Sequence, residues 1–279
     1  MKKLAYTFKT DTLFKMLFVE HQGLLKKLVA VLMGISVESI TQFDIQNPEI
    51  QPENLGDKFC RLDINMVVNG QLVDLEIQVC SQGDYIERVM FYWAKEFASA
   101  LPSGGHYSEL PRTMILSILD FTLFEDYTEY HSFFQPLEVT RHTLMSDKMG
   151  FHFFELPKLP EKVSDKDELL LWLALFNANT EEELQQIKAL EVPEMEQAIN
   201  AYYKITESSR FREIERVREK ARNDEASALH HAKMEGAFQS TLASIKNLMD
   251  SLNLTAEQAM SALKIPETQH QSYREQLQK

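Results

Sequence analysis

The chain has 279 residues, 44% of them hydrophobic and 25% charged, which fits one large domain or two modest ones with a real core. Nine Gly and nine Pro exclude a collagenous or low-complexity chain, and two cysteines, Cys60 and Cys80, exclude a disulfide framework or a paired-cysteine metal site. A formal net charge of −13 argues against a general nucleic-acid coat protein, because sequence-independent binding draws on Lys and Arg; it leaves room for an enzyme whose basic residues line one face.

Lys2 and Lys3 begin what looks like a leader, but Lys9, Asp11 and Lys15 interrupt it before an apolar segment forms. The longest apolar stretch, Leu28 to Ile35, falls well short of the ~20 residues a spanning helix needs. The expected setting is reducing and cytoplasmic, without a membrane.

Asp11 to Met33 reads as one helix, with apolar residues at helical spacing and Gly34 as its stop. Ile40 to Ile45 reads as a short strand, with Pro48 and Pro52 in the loop after it. Residues 58–68 and 71–80 read as two strands joined at Asn69-Gly70, the strongest short-range hairpin signal. Ser81 to Leu101 follows as a helix. Arg112 to Phe121, Leu137 to Thr143 and Gly150 to Leu156 are further strand candidates. From residue 165 the composition turns helical, with helices expected at 166–177, 180–189, 193–206, 208–234, 236–252 and 255–263. No tandem repeat is evident. The expected organisation is an α/β unit over residues 1–160 and a helical region over 161–279.

The hairpin carries the chemistry. A two-residue turn places Val68 opposite Gln71 and, working outward, Asp63 opposite Glu76 and Arg61 opposite Gln78. Opposed residues have Cβ atoms about 4.5–5.5 Å apart. One face of the hairpin is apolar: Leu62, Ile64, Met66 and Val68 with Val73, Leu75, Ile77 and Val79. The other carries Arg61, Asp63, Asn65 and Val67 with Leu72, Asp74, Glu76 and Gln78. Opposed carboxylates repel, and a divalent cation between them reverses the sign of that interaction. Gln78 then stands where it would orient a water or contact a phosphate. The bland alternative is a solvated polar face, with Arg61 paired to either acid.

Asp63, twelve residues, then Glu76-Ile77-Gln78 resembles the D…(D/E)-x-K pattern of PD-(D/E)XK nucleases, with Gln in place of Lys. More specifically, the chain resembles the bacterial recombination-promoting nuclease/putative transposase family. The resemblance rests on Asp11-Thr-Leu-Phe-Lys15, Arg61-Leu-Asp-Ile64, Val73-Asp-Leu-Glu-Ile-Gln78, Glu87-Arg-Val-Met-Phe-Tyr92, Gly105-His-Tyr107 and the Pro111–Leu119 strand, over residues 5–160. It implies a restriction-endonuclease-like α/β fold, a mixed central sheet flanked by helices with a helical C-terminal region. It also implies Mg²⁺-dependent DNA cleavage (Mn²⁺ as a substitute) that promotes recombination, by a homodimer or higher oligomer. Carried over by position, Asp63 and Glu76 are metal ligands, the Ile77 carbonyl is a third, and Gln78 takes the place of the lysine. A neutral amide lacks that lysine's charge, so an interaction module without useful catalysis is the alternative. Asp11 and Lys15 are either an N-cap and a solvated stem or a support for the metal and a phosphate contact. Arg88 and Tyr92, at i and i+4 of one helix, are candidate DNA contacts; Arg88 has Asp84 as an alternative partner. His106 reads as a loop residue and His230-His231 as surface.

Overall fold

The computed structural model describes residues 2–46, 61–81, 83–161, 163–164 and 166–277, the first three of the second stretch, 61–63, by backbone alone. Among these residues, strands β1 (Phe43–Ile45), β2 (Arg61–Val68), β3 (Gln71–Gln78), β4 (Thr113–Leu119), β5 (His131–Phe134) and β6 (Met149–Glu155) form one sheet in the order β1-β2-β3-β4-β6-β5. β1, β2 and β3 are mutually antiparallel, β3, β4 and β6 run parallel, and β5 closes the far edge antiparallel to β6. The sheet is therefore mixed, as the resemblance implies.

The Asn-Gly turn accounts for the hairpin. Asn69 and Gly70 both have positive φ, 50° and 76°, as a two-residue turn matched to the strand twist requires. Asn69 Oδ1 accepts from the backbone N–H groups of Thr41 and Gln42 and from the Thr41 hydroxyl, while its Nδ2 donates to Ser39 O. The turn is thereby tied to the segment leading into β1. The strand start expected at 58–60 lies outside the described residues.

Each face of the sheet is covered. Helices α1 (Asp11–Glu20) and α2 (Gln22–Leu32) bury Leu13, Phe14, Leu17, Phe18, Leu25 and Leu28 in one cluster with Ile64, Met66, Val68, Val73, Leu75 and Ile77. The apolar face of the hairpin thus meets its core, although Val79 at its outer end is exposed. On the opposite face, α3 (Tyr85–Ser99) lays Tyr85 and Val89 against Ile115, Leu119, Phe151 and Phe153. Trp93 Nε1 donates to Thr113 O at 3.0 Å and fastens α3 to β4.

The single helix expected over 11–33 is two helices, broken at His21 with φ −121° and ψ 63°. The strand expected at 137–143 is absent: only an isolated bridge joins Leu137 to Leu144 there, and the edge strand is β5, upstream. Helices α4 (Glu168–Asn177), α5 (Glu181–Lys188) and α6 (Pro193–Thr206) follow the expected spans. Their starts are side-chain caps, Asp167 for α4 and a Thr180/Glu183 capping box for α5. The two helices expected at 208–234 and 236–252 are one, α7 (Ser209–Leu252), which passes through Gly236. Beyond it, α8 (Ala256–Ala262) is capped by Thr255 and Gln258, and α9 (Glu267–Leu277) ends the described chain.

The chain forms two compact units, Met1–Arg216 and Val217–Lys279. The first reaches well past the 160/161 division read from composition, because Leu171, Trp172, Phe176, Ala198, Ile199 and Tyr202 share a core with Phe14 and Phe18. The second has its own small core of Leu242, Ile245, Ala259, Met260 and Tyr273, with Phe238 stacked on Tyr273 at 4.4 Å. No helix among the described residues is long and apolar enough to cross a membrane.

Candidate active site

The ladder pairs Arg61 with Gln78, Asp63 with Glu76 and Asn65 with Asp74, the register expected from the turn. Across the parallel side, Glu76 lies beside Ser117 and Gln78 beside Leu119; Ser117 and Leu119 lie in turn beside Phe153 and Glu155 of β6. Glu76 therefore sits in a central strand of the sheet.

The bland alternative, a solvated polar face, fails on burial. Asp74, Glu76 and Gln78 are 5%, 3% and 0% exposed. The physical reason is non-local: α3 covers this face. Glu76 Oε1 accepts two hydrogen bonds, from the Tyr85 hydroxyl at 2.5 Å and the Ser117 hydroxyl at 3.1 Å. Burial, reinforced by the Glu76 charge, pushes the Tyr85 hydroxyl well above the ordinary tyrosine range, so it serves as a donor. Its ring lies edge-on to Phe121 and Phe153, and the Arg88 guanidinium sits 5.2 Å from its centroid, a cation–π contact.

Gln78 is held at both ends. Its Nε2 donates to Cys80 O at 3.2 Å, and its backbone carbonyl accepts from the Asp120 N–H at 2.9 Å. Its buried Oε1 meets no hydrogen-bond donor among the described residues. Asp120 in turn pairs with Lys9, Nζ to Oδ1 2.9 Å. The Ile77 side chain points into the opposite core, so its backbone carbonyl is its sole candidate ligand atom.

Asp11 and Lys15 pair with each other at 3.2 Å, with side chains 18% and 13% exposed. Lys15 is thus no solvated stem, and the position before the helix belongs to Thr10, which makes no side-chain cap. Their helix covers the apolar face of the sheet, opposite to Glu76. The Tyr92 ring lies beside Phe91 at 5.8 Å.

Three residues near the hairpin escaped the sequence reading. Ser117 gave one signal, a lone serine inside the apolar run Met114–Leu119. Tyr85 and Lys9 gave none, since what matters in each is a contact distant in sequence. Farther along the same row, Glu155 is fully buried. Its Oε1 accepts from the Leu123 and Phe124 N–H groups at 2.6 and 3.1 Å, and its Oε2 from Lys158 Nζ at 2.8 Å.

The donor set around Glu76 is all oxygen: a buried carboxylate, the Gln78 amide oxygen and backbone carbonyls. Hard divalent cations such as Mg²⁺ and Mn²⁺ suit such a set, so the residues present fit that group. Among the described side chains no three His, Cys, Asp or Glu residues stand close enough to hold a metal ion; Asp63 is described by its backbone alone.

A mixed sheet with helices on both faces and an acid-bearing hairpin at its centre defines a nuclease-like α/β protein. Residues 8–232 match the family model of the PD-(D/E)XK nuclease family transposases, and the chain belongs to that family. Nucleases of this superfamily generally use divalent metals and act on DNA. No curated protein and no solved structure matches the chain.

Proposed function

We propose that this chain is a divalent-metal-dependent DNA endonuclease that promotes recombination or transposition-like events, with Asp63 and Glu76 as its carboxylate ligands. The observation that carries the reading is the position of Glu76. A carboxylate 3% exposed stands directly across the ladder from a second acid. Opposed like charges destabilise a sheet, and withdrawing a carboxylate from water adds to that cost. A cation bound by both acids offsets each term. When bound, Mg²⁺ or Mn²⁺ polarises the scissile phosphate and lowers the pKa of a water.

The chain's own groups do the rest. Asp63, Glu76 and the Ile77 carbonyl hold the ion. Gln78 acts as an acceptor rather than a cation: its NH₂ end donates to Cys80 O, and Oε1 accepts a hydrogen bond from the attacking water and orients it. Lys15 is engaged by Asp11, and Arg88 lies over the Tyr85 ring. A phosphate contact by either would replace a contact already present.

Nicking of supercoiled plasmid with Mg²⁺ or Mn²⁺ tests the reading. Wild type cuts, and Asp63→Ala and Glu76→Ala fall to background. Variants that cut as well as wild type would overturn the assignment. A complete lack of Mg²⁺ or Mn²⁺ binding, with partner binding intact, would instead favour a nuclease-fold interaction module, which the missing lysine at position 78 allows. A DNA/RNA competition in the same assay identifies the substrate, and sedimentation velocity reads the expected dimer.

A further inference from the structure

We infer that Tyr85 and Ser117 are positioning residues that set the Glu76 carboxylate for metal binding, an inference that rests on the metal reading above. Two donors converge on one oxygen, Oε1, at 2.5 and 3.1 Å. They come from separate elements, Tyr85 from the first residue of α3 and Ser117 from the middle of β4. Two donors on one carboxylate oxygen restrain where the group sits in the sheet. Outer hydrogen bonds of this kind orient metal ligands before the ion arrives.

The surroundings favour this role over plain packing. Ser117 is completely buried in a strand whose neighbouring positions, Leu116 and Ile118, belong to the main apolar core. A buried hydroxyl there costs free energy unless it is bonded, and its bond goes to the acid directly beside it in the ladder. The Tyr85 ring is wedged between Phe121 and Phe153 beneath Arg88. The rigid ring aims its hydroxyl at Glu76 with little freedom to turn away.

The test is Mn²⁺ uptake by the full-length protein, read by the loss of the free-ion paramagnetic resonance signal, for wild type, Tyr85→Phe, Ser117→Ala and Ser117→Thr. Tyr85→Phe keeps the ring and removes one hydroxyl; its Mn²⁺ Kd is expected to rise about 10–100-fold. Ser117→Ala raises it about tenfold, and Ser117→Thr, which restores a hydroxyl, recovers most of that loss. In the nicking assay kcat falls while KM for DNA holds. A purely structural role would lower the melting temperature and leave Kd unmoved. If folded Tyr85→Phe and Ser117→Ala take up Mn²⁺ like wild type, the inference is overturned and the metal reading stands. If wild type takes up no Mn²⁺, the metal reading fails and the inference falls with it. Should Tyr85→Phe fail to fold, the Ser117→Ala and Ser117→Thr pair decides.

Discussion

Lys158→Met separates the carboxylate that holds the strand ends together from the carboxylates proposed for catalysis. Lys158 Nζ donates to Glu155 Oε2 at 2.8 Å and to Phe124 O at 2.7 Å, and the two side chains of the ion pair are 9% and 0% exposed. Methionine keeps the volume and removes the charge, leaving a buried carboxylate without its cation. Breaking a buried pair this way costs about 3–5 kcal/mol. Glu155 retains two backbone N–H donors at its other oxygen, so the lower end, about 3 kcal/mol, applies. At roughly 2–4 °C per kcal/mol for a unit of this size, the melting temperature drops by about 6–12 °C. The double variant Glu155→Gln/Lys158→Met removes both charges together. Its Gln can still accept from the Leu123 and Phe124 N–H groups, and it should come within about 2 kcal/mol of wild type. Thermal melts followed by near-ultraviolet circular dichroism measure both. A Lys158→Met protein melting within 1 °C of wild type, by this rough scale, would refute the claim that the pair carries the end of the sheet.

Leu75→Ala, at a position with no exposure in the main core, should cost about 3 kcal/mol in urea denaturation; a loss below about 1 kcal/mol would mean that the site collapses around the cavity. His152 gives a pH dependence. Burial, then the charges of His131 and Arg112, push it from its ordinary 6.5 down to about 3, and burial lowers His131, whose Nε2 lies 3.0 Å from His152 Nδ1. The folded form therefore takes up these protons at lower pH than the unfolded chain, and stability present above pH 6.5 is lost as pH falls toward 3. His152→Phe, stacked in the same place between Phe133 and Phe154, should flatten the fall in melting temperature between those limits. An unchanged slope would show that this pair does not set the acid limb.

The hairpin register was legible because one dipeptide decides it locally. The helix starts of α5 and α8 were legible for the same reason: Thr180/Glu183 and Thr255/Gln258 satisfy backbone groups within one turn. What escaped depends on distant parts of the chain. The break at His21 lies inside an unbroken apolar pattern, and four-residue β5 is too short to show a period. Gly236, expected to open a separate helix, is tolerated within α7, where a lone glycine costs only about 1 kcal/mol. At the site, the opposition of Asp63 and Glu76 followed from the turn. The burial of Glu76 did not, because the covering helix and Ser117, 41 positions away, reach it only through the fold.

The turn that sets this register is also where the protein will age. In an Asn-Gly pair the glycine backbone nitrogen can attack the side-chain carbonyl carbon, expel ammonia and close a succinimide. Asn69 is shielded by having its amide oxygen held by Thr41 and Gln42 and its nitrogen by Ser39, which keeps the carbonyl from turning toward Gly70. Once that clamp opens, ring opening to isoaspartate adds a backbone atom and a negative charge to a two-residue turn. The strand opposite Glu76 would then be displaced, and the shelf life of the pairing between two acids would be that of a single amide six residues from the nearer one.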